Sequence, residues 1–207
     1  MPDLALILWA VYGIAALGWR VAVQLRRTGE TGLVAARVRP TSLAGLADLG
    51  QAAGIALGLA AAFLARDGVV EPIPALDRTG VHIAGIAIFA TGLCGTVASQ
   101  AAMGRSWRIG TDPRERTDLV TGGPFALVRN PIYSALIPTL LGLALLVPSV
   151  VALGSVIVFA LATEVQVRAV EEPHLLRLHE REYADYAARV GRFVPGLGRL
   201  NNRAVGT

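Results

Sequence analysis

The 207 residues include no lysine, a single cysteine and only 16% charged side chains. Each shortage excludes something. One cysteine cannot close an intramolecular disulfide, and Cys94, inside an apolar run, reads as a small core residue. The net charge of +4 rests on 19 arginines alone, a bias of codon use more than of ligand. With neither a separate basic domain nor a basic face interleaved with aromatics, the sequence argues against nucleic acid as a partner. So little charge beside 54% hydrophobic residues and a mean hydropathy of +0.55 excludes an ordinary soluble domain. The start of the chain lacks the basic segment of a signal peptide. Its apolar run, 4–24, is too long for one and has no convincing cleavage site, so it is expected to stay as a helix, with Arg20 reaching the interface from its last turns.

What is present is a series of apolar runs separated by arginine-rich or acidic loops. A run at 42–65 carries Gly50, Gly54 and Gly58 at four-residue spacing, one helix face suited to close packing within the chain or in a homodimer. Asp48 and Gln51, near its start, are expected to face protein or water. The loop 66–80 balances its charges and suits the outside, with His82 just beyond it as an interfacial side chain. A third run, 81–103, ends near Gln100, placed for a pocket role. The segments 25–41 and 104–129 are rich in arginine, the mark of cytoplasmic loops, with Trp107 at headgroup level. Two further runs, 132–147 and 149–163, are divided only by Pro148 and predict a tight helical hairpin. Each has about 15 residues, about 23 Å at helical rise, short of a hydrocarbon core of about 30 Å. Helical spacing continues through Glu164, Arg168 and Glu172, which would share one face as the wall of a pocket.

These runs predict an all-α, polytopic integral membrane protein of about five helices, followed by an amphipathic helix at 173–194 lying at the interface or covering the site. The organisation expected is a three-helix membrane part over 1–103, a cofactor-binding part over 104–195 and a flexible tail over 196–207. Chemistry is expected where Gly122-Gly-Pro-Phe-Ala-Leu-Val-Arg-Asn-Pro-Ile-Tyr133 turns from polar loop into apolar helix, because a helix start offers free N–H groups and partial positive charge.

Several ordered pieces carry a resemblance: Leu119-Val-Thr-Gly-Gly-Pro-Phe125, Val128-Arg-Asn-Pro-Ile-Tyr133, Glu171-Glu172, Tyr183-x-x-Tyr186 and Val190-Gly-Arg-Phe-Val-Pro195. Over about 100–195 the chain resembles the C-terminal half of the isoprenylcysteine carboxyl methyltransferases and the related phospholipid methyltransferases. The resemblance implies a membrane-embedded, S-adenosylmethionine-dependent methyltransferase without the Gly-rich Rossmann half of soluble methyltransferases. It implies a cofactor site built from Gly123, Pro124, Val128, Arg129, Asn130, Pro131, Tyr133, Glu171 and Glu172 on the cytoplasmic side, in a bacterial inner membrane. A carboxylate such as Glu171 or Glu172 can hold the cofactor's ammonium, Arg129 or the helix-start N–H groups its carboxylate, and Pro131 and Tyr133 its adenine.

Two departures bear on mechanism. Asn130 stands where the family has histidine, and Ala135 where it has glycine, so acid–base work by an imidazole there is not supported and Asn130 reads as a cofactor-positioning residue. Arg168 sits one residue closer to the paired acids than in the eukaryotic enzymes. Methyl transfer from a sulfonium is an in-line displacement that needs alignment and exclusion of water. A carboxylate acceptor, such as an isoprenylcysteine-like one, needs no base, whereas an amine or thiol would draw on Glu164 or Glu172. Arg168, Glu164 and Glu172 are the catalytic candidates, and Gln100, Trp107, Tyr183 and Arg189 are the candidates for a lipophilic acceptor; no metal ligands are expected. A nicotinamide-dependent membrane reductase of sterols, whose C-terminal motifs are similarly arranged, and a non-enzymatic scaffold using the Gly50 face remain open alternatives.

Overall fold

The computed structural model describes residues 1–29, 31, 41–104 and 118–200. Trp107, with much of both arginine-rich loops, lies outside them. Among the described residues every regular element is helical: α1 (Pro2–Tyr12), a π turn (Gly13–Gly18), α2 (Trp19–Thr28), α3 (Leu43–Arg66), α4 (Thr79–Met103), a 3-10 turn (Gly123–Ala126), α5 (Pro131–Leu146), α6 (Val150–Gln166), a second π turn (Val167–Glu171) and α7 (Glu172–Arg189). Four continuous helical stretches, Pro2–Arg26, Leu43–Arg66, Thr79–Met103 and Val150–Arg189, are long and apolar enough to cross a membrane, and α5 is a shorter apolar helix. In the last of these the apolar part is α6; α7 carries Arg177, Glu180, Arg181, Glu182 and Asp185 and extends beyond the hydrocarbon. The protein is an all-α polytopic membrane protein. Its surface agrees: Ile7, Ile14, Leu49, Ile83, Ile157 and Leu161 are large, apolar and exposed, the arrangement required where lipid is the solvent.

Local chemistry sets the helix starts. Ser42 and Ser149 each accept a backbone N–H from the first turn, Gly45 at 3.1 Å and Ala152 at 3.2 Å, and so cap α3 and α6. The hairpin between α5 and α6 turns at Pro148, whose carbonyl accepts the Ile73 N–H at 2.6 Å and ties the loop after α3 to the hairpin.

Helices α3 and α6, and α4 and α5, form the most extensive pairs, so the two halves of the chain are interleaved. The Gly50–Gly54–Gly58 face is consumed within the chain: a Cβ on Gly54 would lie 2.8 Å from the Phe159 Cβ, and one on Gly50 2.8 Å from the Ala162 Cβ. That seam of α3 against α6 leaves no room on this face for a second copy. Between the seams sit Phe89, Leu140, Leu143, Leu146, Val156 and Phe159, all buried.

Three expectations are corrected, at Cys94, Arg20 and the start of the tail. Cys94 is exposed on the outside of α4, away from the core. Arg20 does not reach outward: it is buried and donates to the Gly104 carbonyl that ends α4, a cation at a helix C-terminus. The amphipathic segment is helical as expected and continues α6 through the second π turn into α7, with a local break at Glu180, where φ is 42°. Residues 196–200 are docked, because Arg192 N–H donates to the Leu197 carbonyl and Leu200 N–H to the Ala187 carbonyl, at 2.8 and 3.0 Å. His82, at the outer end of α4, is buried and lies 3.1 Å from Asp77.

Candidate functional site

At the end of the bundle where α3 and α5 begin and α6 passes into α7, two polar clusters sit side by side. The first is ionic. Arg129 lies just before α5 and its side chain is only 1% exposed; Glu172 opens α7 at 5%. The guanidinium spends all five of its N–H groups inside the protein. Nε and Nη2 donate to Glu172 Oε1, Nη1 to the carbonyls of Ala187 and Val190, and Nη2 also to Gly198 at 3.0 Å. Arg192 takes Glu172 from the other side with Nε at 2.9 Å and Nη2 at 2.7 Å, the two-pronged geometry that suits guanidinium to carboxylate.

Backbone contacts complete this knot. Val128 pairs with Gly191 in a parallel bridge, and the N–H groups of Arg129 and Asn130 donate to the carbonyls of Gly191 and Arg192 at 2.8 and 3.1 Å. The Asn130 Nδ2 adds a bond of 3.2 Å to the same Arg192 carbonyl, and Ser134 Oγ reaches Phe193 O at 2.8 Å. Gly191 is required here: a Cβ would fall 2.2 Å from the Val194 carbonyl oxygen. Tyr183 and Tyr186 cover the knot edge to face, ring centroids 6.0 Å apart, with Tyr186 donating to Phe125 O at 2.6 Å.

Burial alone would raise the Glu172 carboxyl pKa, but hydrogen bonds from Arg192 and then Arg129, with their charges, outweigh it and hold the group below its ordinary value. Hydrogen bonding to Glu172 in turn raises Arg192. Burial pushes the Tyr186 phenol up to about 12 and the Tyr183 phenol higher still, so both stay protonated.

The second cluster is acidic. Tyr133, in the first turn of α5, donates to Glu171 Oε1 at 3.0 Å. Asp48 on α3 is near enough for its charge to act on Glu171 and Tyr133, and Gln51 lies one turn along from Asp48. Gln51 Nε2 donates to Thr163 Oγ1 at 3.1 Å, fixing α3 to α6 here. The buried Gln166 Oε1 has no hydrogen-bond partner. Among the described residues neither Glu171 nor Asp48 takes part in an ion pair.

The π turn Val167–Glu171 explains why adjacent glutamates serve different clusters and why the expected Glu164–Arg168–Glu172 face does not form. Widening the helix to i→i+5 bonds shifts the register of the later residues by one position, about 100° of rotation. Glu164 and Arg168 remain together as an ion pair exposed by 36% and 60%, whereas Glu172 turns inward to the knot. Glu164 stays near enough for its charge to act on Arg192.

Of the residues singled out from sequence, the knot gathers Val128, Arg129, Asn130, Glu172 and Tyr183, and the acidic cluster Tyr133 and Glu171, with Pro131 buried at the first position of α5 between them. Within the protein Arg129 spends its donors on Glu172 and three carbonyls, the amide of Asn130 is turned to the C-terminal loop, and Tyr183 is buried against the knot. Gln100 is likewise buried and donates to Ala16 O of the first π turn at 2.9 Å, and Arg189 is exposed. Gly123, at φ 60°, and Pro124 shape the 3-10 turn beside the end of α4, where a Cβ on Gly123 would lie 3.6 Å from that of Ala102. Sequence reasoning gave no site role to Gln166, and it held Arg192 only as part of the Val190–Pro195 motif. A cleft lined by Met1, Pro2, Ala65, Val70, Pro72 and Leu146 lies at the opposite end of the bundle and shares no residue with either cluster.

Residues 81–182 match the profile of a known family, phospholipid methyltransferase. Two curated relatives are similar over the same order of length. The nickel-cobalt-cadmium resistance protein NccN of Alcaligenes xylosoxydans xylosoxydans is 31% identical over 119 residues, 57% of this chain and 54% of the relative. The cobalt-zinc-cadmium resistance protein CzcN of Cupriavidus metallidurans is 33% identical over 112 residues, 53% of this chain and 50% of the relative. The chain spans about half the length of the curated relatives it matches.

Proposed function

Since residues 81–182 match the phospholipid methyltransferase family, we propose that the protein transfers a methyl group from S-adenosylmethionine to a lipophilic acceptor at the cytoplasmic face of a bacterial inner membrane. The observation that carries this reading is the Tyr133–Glu171 pair, an anionic cluster with a spare buried acceptor on Gln166 beside a helix start. That donor and acceptor set fits an amino acid group: Glu171 would hold an ammonium, and the unpaired N–H groups in the first turn of α5 a carboxylate. Pro131 and Tyr133 offer apolar surface to a purine. The cofactor supplies an activated methyl on a sulfonium. The protein aligns the acceptor and keeps water out, and the ionic knot next door holds α5 and α7 at fixed spacing.

Orientation follows from charge. The ends at which α3 and α5 begin adjoin the arginine-rich segments, which the positive-inside rule assigns to the cytoplasm. A carboxylate acceptor such as a prenylcysteine analogue needs no base. The two relatives are named for resistance to metal ions; alteration of a membrane component by methylation is the form in which this chain would serve such a role.

Calorimetric titration of the purified protein tests the cofactor. S-adenosylhomocysteine is expected to bind and NADPH not to; the reverse result would make the protein a reductase, and binding of neither would leave a scaffold. Incubation with radiolabelled S-adenosylmethionine, a membrane-lipid extract and prenylcysteine analogues then identifies the species that takes up label.

A further inference from the structure

The cluster around Glu171 extends beyond residues 81–182. Helix α3 begins at Leu43, so Asp48 lies about 8 Å and Gln51 about 12 Å along it at helical rise. Glu171 closes the π turn at the same end of the bundle, and α3 packs directly against that turn. Gln51 is anchored to α6 by its bond to Thr163 Oγ1 at 3.1 Å. It thereby fixes the rotation of α3 that brings Asp48 into electrostatic reach of Glu171 and Tyr133.

Two carboxylates at the edge of a bilayer, within electrostatic reach of one another and without an ion pair among the described residues, are costly to hold together. A protein that needed only to pack α3 against α5 and α6 would have placed apolar residues here. A second, independent sign points to a ligand. Gln166 is buried, stands one widened turn before Glu171 on the same helix, and its Oε1 is an orphaned acceptor; a native interior leaves such atoms unpaired mainly where something else completes them. Three acceptors of this kind call for a donor with several N–H groups and positive charge.

We propose that Asp48, positioned by Gln51, forms with Glu171 and the Gln166 carbonyl oxygen a receptor for an ammonium group, that of the bound S-adenosylmethionine. Helix α3, outside the family domain, is thereby part of the cofactor site. This rests on the reading of the protein as an S-adenosylmethionine-dependent enzyme. An ammonium offers three donors, enough to satisfy both carboxylates and the orphaned amide oxygen at once. Asp48 acts by direct contact with the cofactor and takes no part in moving the methyl group.

The test is calorimetric titration of the full chain in detergent with S-adenosylhomocysteine and with its desamino analogue, which lacks the ammonium. Wild type is expected to prefer the amino compound by about ten-fold or more, the size of a charge-assisted contact. Asp48→Asn should weaken that compound by about ten-fold and leave the desamino analogue unchanged, so that the preference collapses. Equal losses for both ligands, or no loss for either, would overturn the assignment of Asp48 while leaving the cofactor reading intact. Failure of wild type to bind either compound would instead sink the cofactor reading, and this inference with it. A ligand-free readout stands beside these. Removing one of two facing carboxylates should leave the melting temperature unchanged or raise it; a clear fall would show that Asp48 is paired within the protein and would also overturn the proposal.

Discussion

Arg129 and Glu172 stand 43 residues apart in sequence and meet inside the protein, with side-chain exposures of 1% and 5%. Together with Arg192 they hold the start of α5, the start of α7 and the loop after α7 in one piece. A residue of this kind supports a site more than it contacts a ligand.

Glu172→Gln is therefore expected to act on stability before it acts on binding. It leaves two buried guanidinium groups facing a neutral amide, and breaking a buried pair costs about 3–5 kcal/mol. The thermal midpoint in detergent should drop by several degrees, and limited proteolysis should open the chain after α7. An unchanged midpoint would remove the knot from the protein's support.

Acid should do reversibly what that substitution does permanently. The Glu172 carboxyl, ordinarily near 4.5, is held lower in the folded protein. Its contribution is fully present above the unfolded value and is lost as pH falls through the folded one. The melting temperature of wild type is expected to decline below about pH 4.5, and Glu172→Gln should show a shallower decline over the same range. Parallel curves would contradict the assignment.

Tyr133→Phe removes one hydroxyl and its 3.0 Å bond to Glu171 while keeping the ring. The fold should survive, because the ring still packs at the head of α5. S-adenosylhomocysteine affinity is expected to fall about ten-fold, in the range of a hydrogen bond to a charged group. Wild-type affinity would take Tyr133 out of the pocket.

Gly54→Ala and Gly13→Ala make a contrasting pair. At Gly54 the new methyl meets the Phe159 Cβ at 2.8 Å and its backbone nitrogen at 2.9 Å, whereas at Gly13 nothing lies within 4 Å. The first should cost about 1–3 kcal/mol by forcing α3 from α6, and the second should be neutral or stabilising. Melting of the two variants side by side decides it.

Glu180 interrupts α7 at φ 42° and ψ −116°, a region that strains any residue with a Cβ. Glu180→Gly should raise stability by about 1 kcal/mol. A loss would mean that the carboxylate itself holds the break.

Much of this architecture is visible in the residues. The apolar runs mark the membrane helices, Ser42 and Ser149 mark two starts, and Pro148 marks the hairpin turn. The ordered motifs also point to residues that the fold brings together, since Arg129, Tyr133, Glu171 and Glu172 converge at one end of the bundle. Their roles are less legible, for two physical reasons. Whether Arg129 is free for a ligand depends on carbonyls 58 to 69 residues away, at Ala187, Val190 and Gly198, and no local pattern reports such a contact. A π turn changes helical register by one residue without altering composition, so the spacing of Glu164, Arg168 and Glu172 suggests one face where the protein has two. The tail after Pro195 reads as loose because its glycines and polar residues are those of a linker, yet its Gly198 carbonyl is one of the three that the buried guanidinium requires.

That requirement imposes an order on assembly. When α5 first enters the membrane, Arg129 carries a charged side chain at its threshold, and the last of its partners, Gly198, is made 69 residues later. Until then the guanidinium must stay in water or at lipid headgroups, which keeps the head of α5 from sinking and α7 from closing. The loop after α7 thus acts as a latch: the ionic knot that joins the heads of α5 and α7 closes only when Gly198 is in place.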